Sequence, residues 1–62
     1  MKYRVNVEIA KPAGKEYCYY YTYKSYVVEA AGKGEAKTLA EAKAREEHPG
    51  QQCEGYCVEV VP

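Results

Sequence analysis

Residues 17 to 26 read YCYYYTYKSY, which places Tyr17, Tyr19, Tyr20, Tyr21, Tyr23 and Tyr26 within ten positions. In an extended strand, successive side chains point to opposite faces. A strand this rich in tyrosine therefore puts aromatic rings on both faces of the sheet it joins. The chain has 62 residues, enough for one domain with one sheet and one helix. A domain of this size buries only about 60% of its unfolded surface. One helix covers one face, so rings on the other face are left to pack across strands, meet a partner or face solvent. The eight aromatic residues are all tyrosine. A tyrosine carries a large apolar ring and a polar tip, which suits a half-wet surface.

Nine Lys and Arg balance nine acidic residues, all of them Glu. Zero net charge argues against strong non-specific binding to nucleic acid or to an anionic membrane surface. No apolar run approaches the roughly 18 residues needed to span a bilayer. The first ten residues, MKYRVNVEIA, alternate as a strand does and do not read as a signal peptide. The expected compartment is the cytoplasm. Three cysteines, Cys18, Cys53 and Cys57, are an odd number, and free thiols are the expectation there.

The pattern along the chain predicts a first strand over Lys2 to Ala10. Tyr3, Val5, Val7 and Ile9 share one face; Lys2, Arg4, Asn6 and Glu8 share the other. Pro12 and Gly14 mark a hairpin loop over Lys11 to Lys15. A second strand runs from about Glu16 toward Ala30, with a bend, bulge or break expected at Lys24-Ser25, its least β-favourable point. After the flexible AGKG, residues Glu35 to His48 are dominated by strong helix formers. Ala36, Leu39, Ala40 and Ala44 follow helical spacing, with Lys43 interrupting the arc, and Glu41 and Arg45 form a favourable pair four apart. Pro49 and Gly50 end the helix. A last strand runs from Cys53 or Gly55 to Val61, with Val58 and Val60 opposed to Cys57, Glu59 and Val61. The expected fold is a single α+β domain over residues 1–62. It is an antiparallel sheet of three to four strands in β-β-α-β order, with one helix packed on one face.

A helix face of alanines supplies little volume, so tyrosines and valines of the sheet must fill the layer beneath it. If Val28 and Ala30 face the helix, Tyr26, Tyr20 and Cys18 share that side unless a bulge intervenes. Tyr17, Tyr19, Tyr21 and Tyr23 then form a stripe on the uncovered side. Three readings of that stripe differ in class. It supplies contact area for a protein partner, it stacks single-stranded nucleic acid, or it is a ladder of structural cross-strand pairs. Lys2, Arg4 and Lys24, placed beside it, would make an aromatic and basic patch.

Cys18, His48, Cys53 and Cys57 have the donor chemistry of a zinc site. However, CEGYC lacks the short two-residue spacing of a zinc knuckle. In an extended segment Cys53 and Cys57 stand about 13 Å apart. No metal or other cofactor is expected. A cross-strand disulfide from Cys18 to Cys53 or Cys57 is an alternative pairing. With one His, no Asp and Ser25 as the only Ser, no nucleophile, base and orienting group assemble in the pattern. His48 at a helix C-terminus is more simply a cap or a favourable charge on the helix dipole. A non-enzyme is expected.

The segment YVVEA, GEAKTLAEAKAREEHPG and CVEVV, across residues 26 to 61, resembles small phage and mobile-element proteins of the anti-CRISPR type. These combine a compact antiparallel sheet with one helix. The resemblance implies a stoichiometric inhibitor that acts by occupying a partner's surface, such as a host defence or nucleic-acid enzyme. The expected function is therefore a non-enzymatic binding protein using Tyr17, Tyr19, Tyr21 and Tyr23 with Lys2, Arg4 and Lys24. A protein partner leads. A single-stranded nucleic-acid binder and a self-associating homodimer are the alternatives.

Overall fold

The computed structural model describes residues 1–12 and 19–62. Its elements are β1 (Lys2–Pro12), β2 (Tyr19–Glu29), α1 (Lys33–Glu47) and β3 (Gln52–Val61). The three strands form one antiparallel sheet in the order β2-β1-β3. The helix packs on one face, which is the expected α+β arrangement with three strands. The residues expected to start the second strand, 16–18, lie outside the described residues, and Tyr17 and Cys18 are among them.

The central strand supplies most of the core. Tyr3, Val5, Val7 and Ile9 are buried on the helix side of β1. Complete burial of a Val or Ile side chain contributes roughly 1.5–3 kcal/mol. The helix contributes Ala36, Ala40 and Ala44, fully buried at a spacing of four. A methyl group contributes about 0.8 kcal/mol, so the sheet carries the larger share. Leu39, expected in this stripe, is instead 39% exposed. Tyr20 also departs from expectation: it has helix-side parity opposite Lys11 yet is 68% exposed, because α1 does not cover that end of β2.

The helix starts two residues before the expected Glu35. Gly32 is its N-cap, and the Ala36 amide donates to the Gly32 carbonyl at 3.0 Å. At the other end His48 is the C-cap, its amide donating to the Ala44 carbonyl at 2.8 Å. Gly50 then takes a left-handed φ of 80° in the reversal to β3.

The irregularity expected at Lys24-Ser25 is not there. β2 runs unbroken, with Lys24 opposite Val7 and Ser25 opposite Asn6. The Ser25 hydroxyl donates to Asn6 Oδ1 at 2.6 Å, and Lys24 reaches Glu47 of the helix. Both polar residues thus have partners within a regular strand. The bulge lies in β3 instead. Asn6 pairs with Cys57 and Val7 with Gly55, so Tyr56 is the extra residue. The consequence for side-chain direction is large. Cys53 and Gly55 before the bulge, and Val58 and Val60 after it, all fall on the helix side.

Helix and sheet approach closely at Gly55. A Cβ built there would lie 3.0 Å from Lys37 Cγ and 3.3 Å from Val5 Cγ1. Its amide donates to Glu41 Oε2 at 2.8 Å. Glu41 is therefore turned to the sheet, with Lys37 at 3.9 Å, and the expected pair with Arg45 does not form. Val5 is fully buried and cannot yield without disturbing the core. Gly55→Ala is expected to destabilise the domain by about 1–3 kcal/mol through overpacking. Glu41→Ala is expected to cost about 1–3 kcal/mol by leaving a buried amide unpaired, and Glu41→Gln less. Urea unfolding of the three variants checks this; a neutral Gly55→Ala would mean that the helix is free to shift outward.

Candidate functional site

The face of the sheet away from α1 carries no covering element among the described residues. The strand register arranges it in cross-strand rows. Tyr19 stands opposite Pro12, Tyr21 opposite Ala10 and then Gln52, and Tyr23 opposite Glu8 and then Glu54. Further along the sheet come Ser25, Asn6 and Cys57, followed by Val27, Arg4 and Glu59. Tyr19, Tyr21 and Tyr23 are 44%, 55% and 60% exposed. The expected stripe is thus present for these three; Tyr17 lies outside the described residues.

Small Ala10, between Tyr21 and Gln52, leaves a trough. It is lined by Glu8, Ala10, Tyr19, Tyr21, Gln52 and Glu54 and has a volume of about 190 Å³. That is below the roughly 300–1,000 Å³ of a small-molecule site. The trough suits one long side chain better than a cofactor. The Tyr19 and Tyr21 rings sit 6.4 Å apart, tilted by 41°. Tyr23 meets Tyr56 of β3 edge to face, with centroids 6.0 Å apart and planes at 86°. Those two strands are not neighbours, so both rings lean over β1.

Tyr56 was not among the residues expected at this face. Strict alternation through CEGYC sets it opposite to Cys57, whereas the bulge turns both toward the open side. The available signal was Gly55 inside an otherwise β-favourable run, since an isolated glycine in a strand often marks a bulge.

The cations expected beside the stripe are elsewhere. Arg4 and Lys2 are on the open face but pair with Val27 and Glu29, at the far end of the sheet. Arg4 is four residues from Glu8 along β1, about 13 Å in an extended strand. Lys24 has helix-side parity and lies 3.3 Å from the Glu47 carboxylate. Among the described residues, the charged groups that flank the tyrosines are Glu8 and Glu54. As described, the patch is aromatic and acidic, not aromatic and basic.

The four candidate metal ligands do not converge in what is described. Cys53 and Cys57 are free thiols on opposite faces of β3, separated by the bulge. His48 follows the helix, across the sheet from Cys57. No group of three or more His, Cys, Asp or Glu is placed to hold a metal among the described residues. Cys18, and with it the disulfide alternative, lies outside them. Among the described residues no helix is long and apolar enough to cross a membrane.

No protein-family model, curated protein or solved structure matches this chain.

On the helix side, the Tyr26 hydroxyl donates to Glu47 Oε1 at 2.9 Å, the same oxygen that Lys24 approaches. The two hydrogen bonds, Tyr26 first and then Lys24, hold the Glu47 carboxyl below its ordinary range. Burial, then the hydrogen bond to Glu47, pushes the Tyr26 phenol up from 10.0 to about 12. A phenol bound more tightly to its proton in the folded state stabilises that state below pH 10. The contribution is lost as pH rises from 10 toward 12. Subtracting the ultraviolet titration of Tyr26→Phe from that of the wild type should leave a phenolate step near about 12. A step at 10.0 would refute the hydrogen bond to Glu47.

Proposed function

We propose that this chain is a non-enzymatic binding domain that acts by covering a protein partner's surface with its open, tyrosine-lined sheet face. The observation that carries this reading is the half-exposed group Tyr19, Tyr21, Tyr23 and Tyr56 over a face with no covering element among the described residues. Rigid aromatic side chains on a regular sheet supply contact area at low entropy cost. Glu8 and Glu54, at the same place, favour a protein over a nucleic acid, whose phosphates they would repel. The finer reading is a phage-type inhibitor of a host defence or nucleic-acid enzyme. It rests on the likeness in the Val-Glu-Ala strand end, the alanine-rich helix and the Val-Glu-Val strand, which here are the end of β2, α1 and part of β3. Occlusion fits this size, because a domain with one sheet and one helix presents its whole open face as a single contact surface.

The test is affinity capture from lysate with wild type, the Tyr19→Ala/Tyr21→Ala double variant, and Tyr20→Ala as a control on the opposite parity. All three should unfold at similar temperature, since the substituted rings are largely exposed. Wild type and Tyr20→Ala should retain the same protein and the double variant should lose it. Equal capture by all three would assign the stripe a structural role. Sedimentation of the wild type alone would expose a homodimer formed through the same face.

A further inference from the structure

We propose that the trough between Tyr19, Tyr21 and the Glu8–Glu54 pair is a receptor for an arginine side chain presented by an extended basic segment of a protein partner. This deepens the reading above and rests on it.

Three observations carry the inference. The first is a broken local rule. Glu8 and Glu54 are directly opposite on adjacent strands and on the same face. Like charges so placed repel, at Cβ separations of about 4.5–5.5 Å. Neither carboxylate has an ion-pair partner among the described residues, although α1 carries Lys33, Lys37, Lys43 and Arg45 on the opposite side of the sheet. A bound cation converts this repulsion into two attractive contacts. The second observation is the wall. The rings of Tyr19 and Tyr21 flank the same trough, and aromatic faces attract cations. The third is size and shape. The trough is about 190 Å³, with small Ala10 and polar Gln52 in its lining, which matches one long side chain.

Arginine is favoured over lysine for a geometric reason. A guanidinium is planar, so it can lie along a tyrosine ring while its edge offers a fork of N–H donors to a carboxylate. An ammonium group is more strongly hydrated and cannot stack. Residues on either side of the arginine would run along the sheet face, where Tyr23 and Tyr56 continue the aromatic surface.

The experiment uses the whole chain and synthetic peptides. Acetyl-Gly-Arg-Gly-Arg-Gly amide would be titrated into labelled protein and followed by amide chemical shifts. Peptides with lysine, or with citrulline (the neutral shape mimic of arginine), serve as comparisons. Saturable shifts centred on Ala10, Tyr21 and Glu54 are expected with the arginine peptide. Binding should be roughly tenfold weaker with citrulline, and weaker with lysine than with arginine. Glu8→Gln/Glu54→Gln should lose binding by about tenfold while its melting temperature does not fall, because a repulsive pair has been removed. Equal affinity for arginine and citrulline, an unchanged affinity in the Gln double variant, or no saturable shift would each overturn the proposal. A stronger response to oligothymidylate than to the arginine peptide would overturn it as well. Failure here is separable from failure of the broader reading. A captured partner lost by Tyr19→Ala/Tyr21→Ala but retained by Glu8→Gln/Glu54→Gln would keep the binding face and discard the arginine receptor.

Discussion

The close approach of α1 to the sheet at Gly55 is the constraint on which the rest of the structure depends. The helix contributes Ala36, Ala40 and Ala44 to the interface and no larger buried side chain. Such a surface packs at native density only if the helix comes close. Closeness leaves no room for a side chain on β3 beneath Lys37, and Gly55 supplies none. The Gly55 amide, on edge strand β3 beside the bulge, donates to Glu41. Alanine stripe, glycine, bulge and half-buried carboxylate are four parts of one solution.

That solution also builds the open face. An extra residue at position 56 turns Tyr56 and Cys57 away from the helix while returning Val58 to it. Tyr56 then reaches across the central strand to Tyr23. The packing demand on one side of the sheet thus shapes the aromatic surface on the other. Glu41, although on the helix, takes part in that arrangement through the backbone of β3.

Polar residues are divided between the two faces in the same way. Lys24 and Tyr26 tie β2 to the end of the helix through a single oxygen of Glu47. On the other face, Glu8 and Glu54 are the charges beside the tyrosines among the described residues. The open face therefore differs along its strands. Glu8, Glu54 and the rings lie near Tyr21 and Tyr23, whereas toward the other end Arg4 stands opposite Glu59 and Lys2 opposite Glu29. A partner with one basic protrusion would have a defined place and direction on this surface.

The sequence alone determined the order β-β-α-β, the core face of β1, the helix and its Pro-Gly stop, and the parity of Tyr19, Tyr21 and Tyr23. Each of these follows from local periodicity or a local backbone preference, which a single segment carries. Only the tertiary structure decided that Leu39 is outside, that Lys24 serves the helix, that Glu41 turns from Arg45 to Gly55, and that Tyr56 joins the open face. It also decided that, among the described residues, carboxylates and not cations border the rings. Those outcomes depend on which residues stand opposite one another across strands, and a one-residue bulge reverses side-chain direction for everything beyond it. Such pairing is a property of the assembled sheet, which no single segment carries.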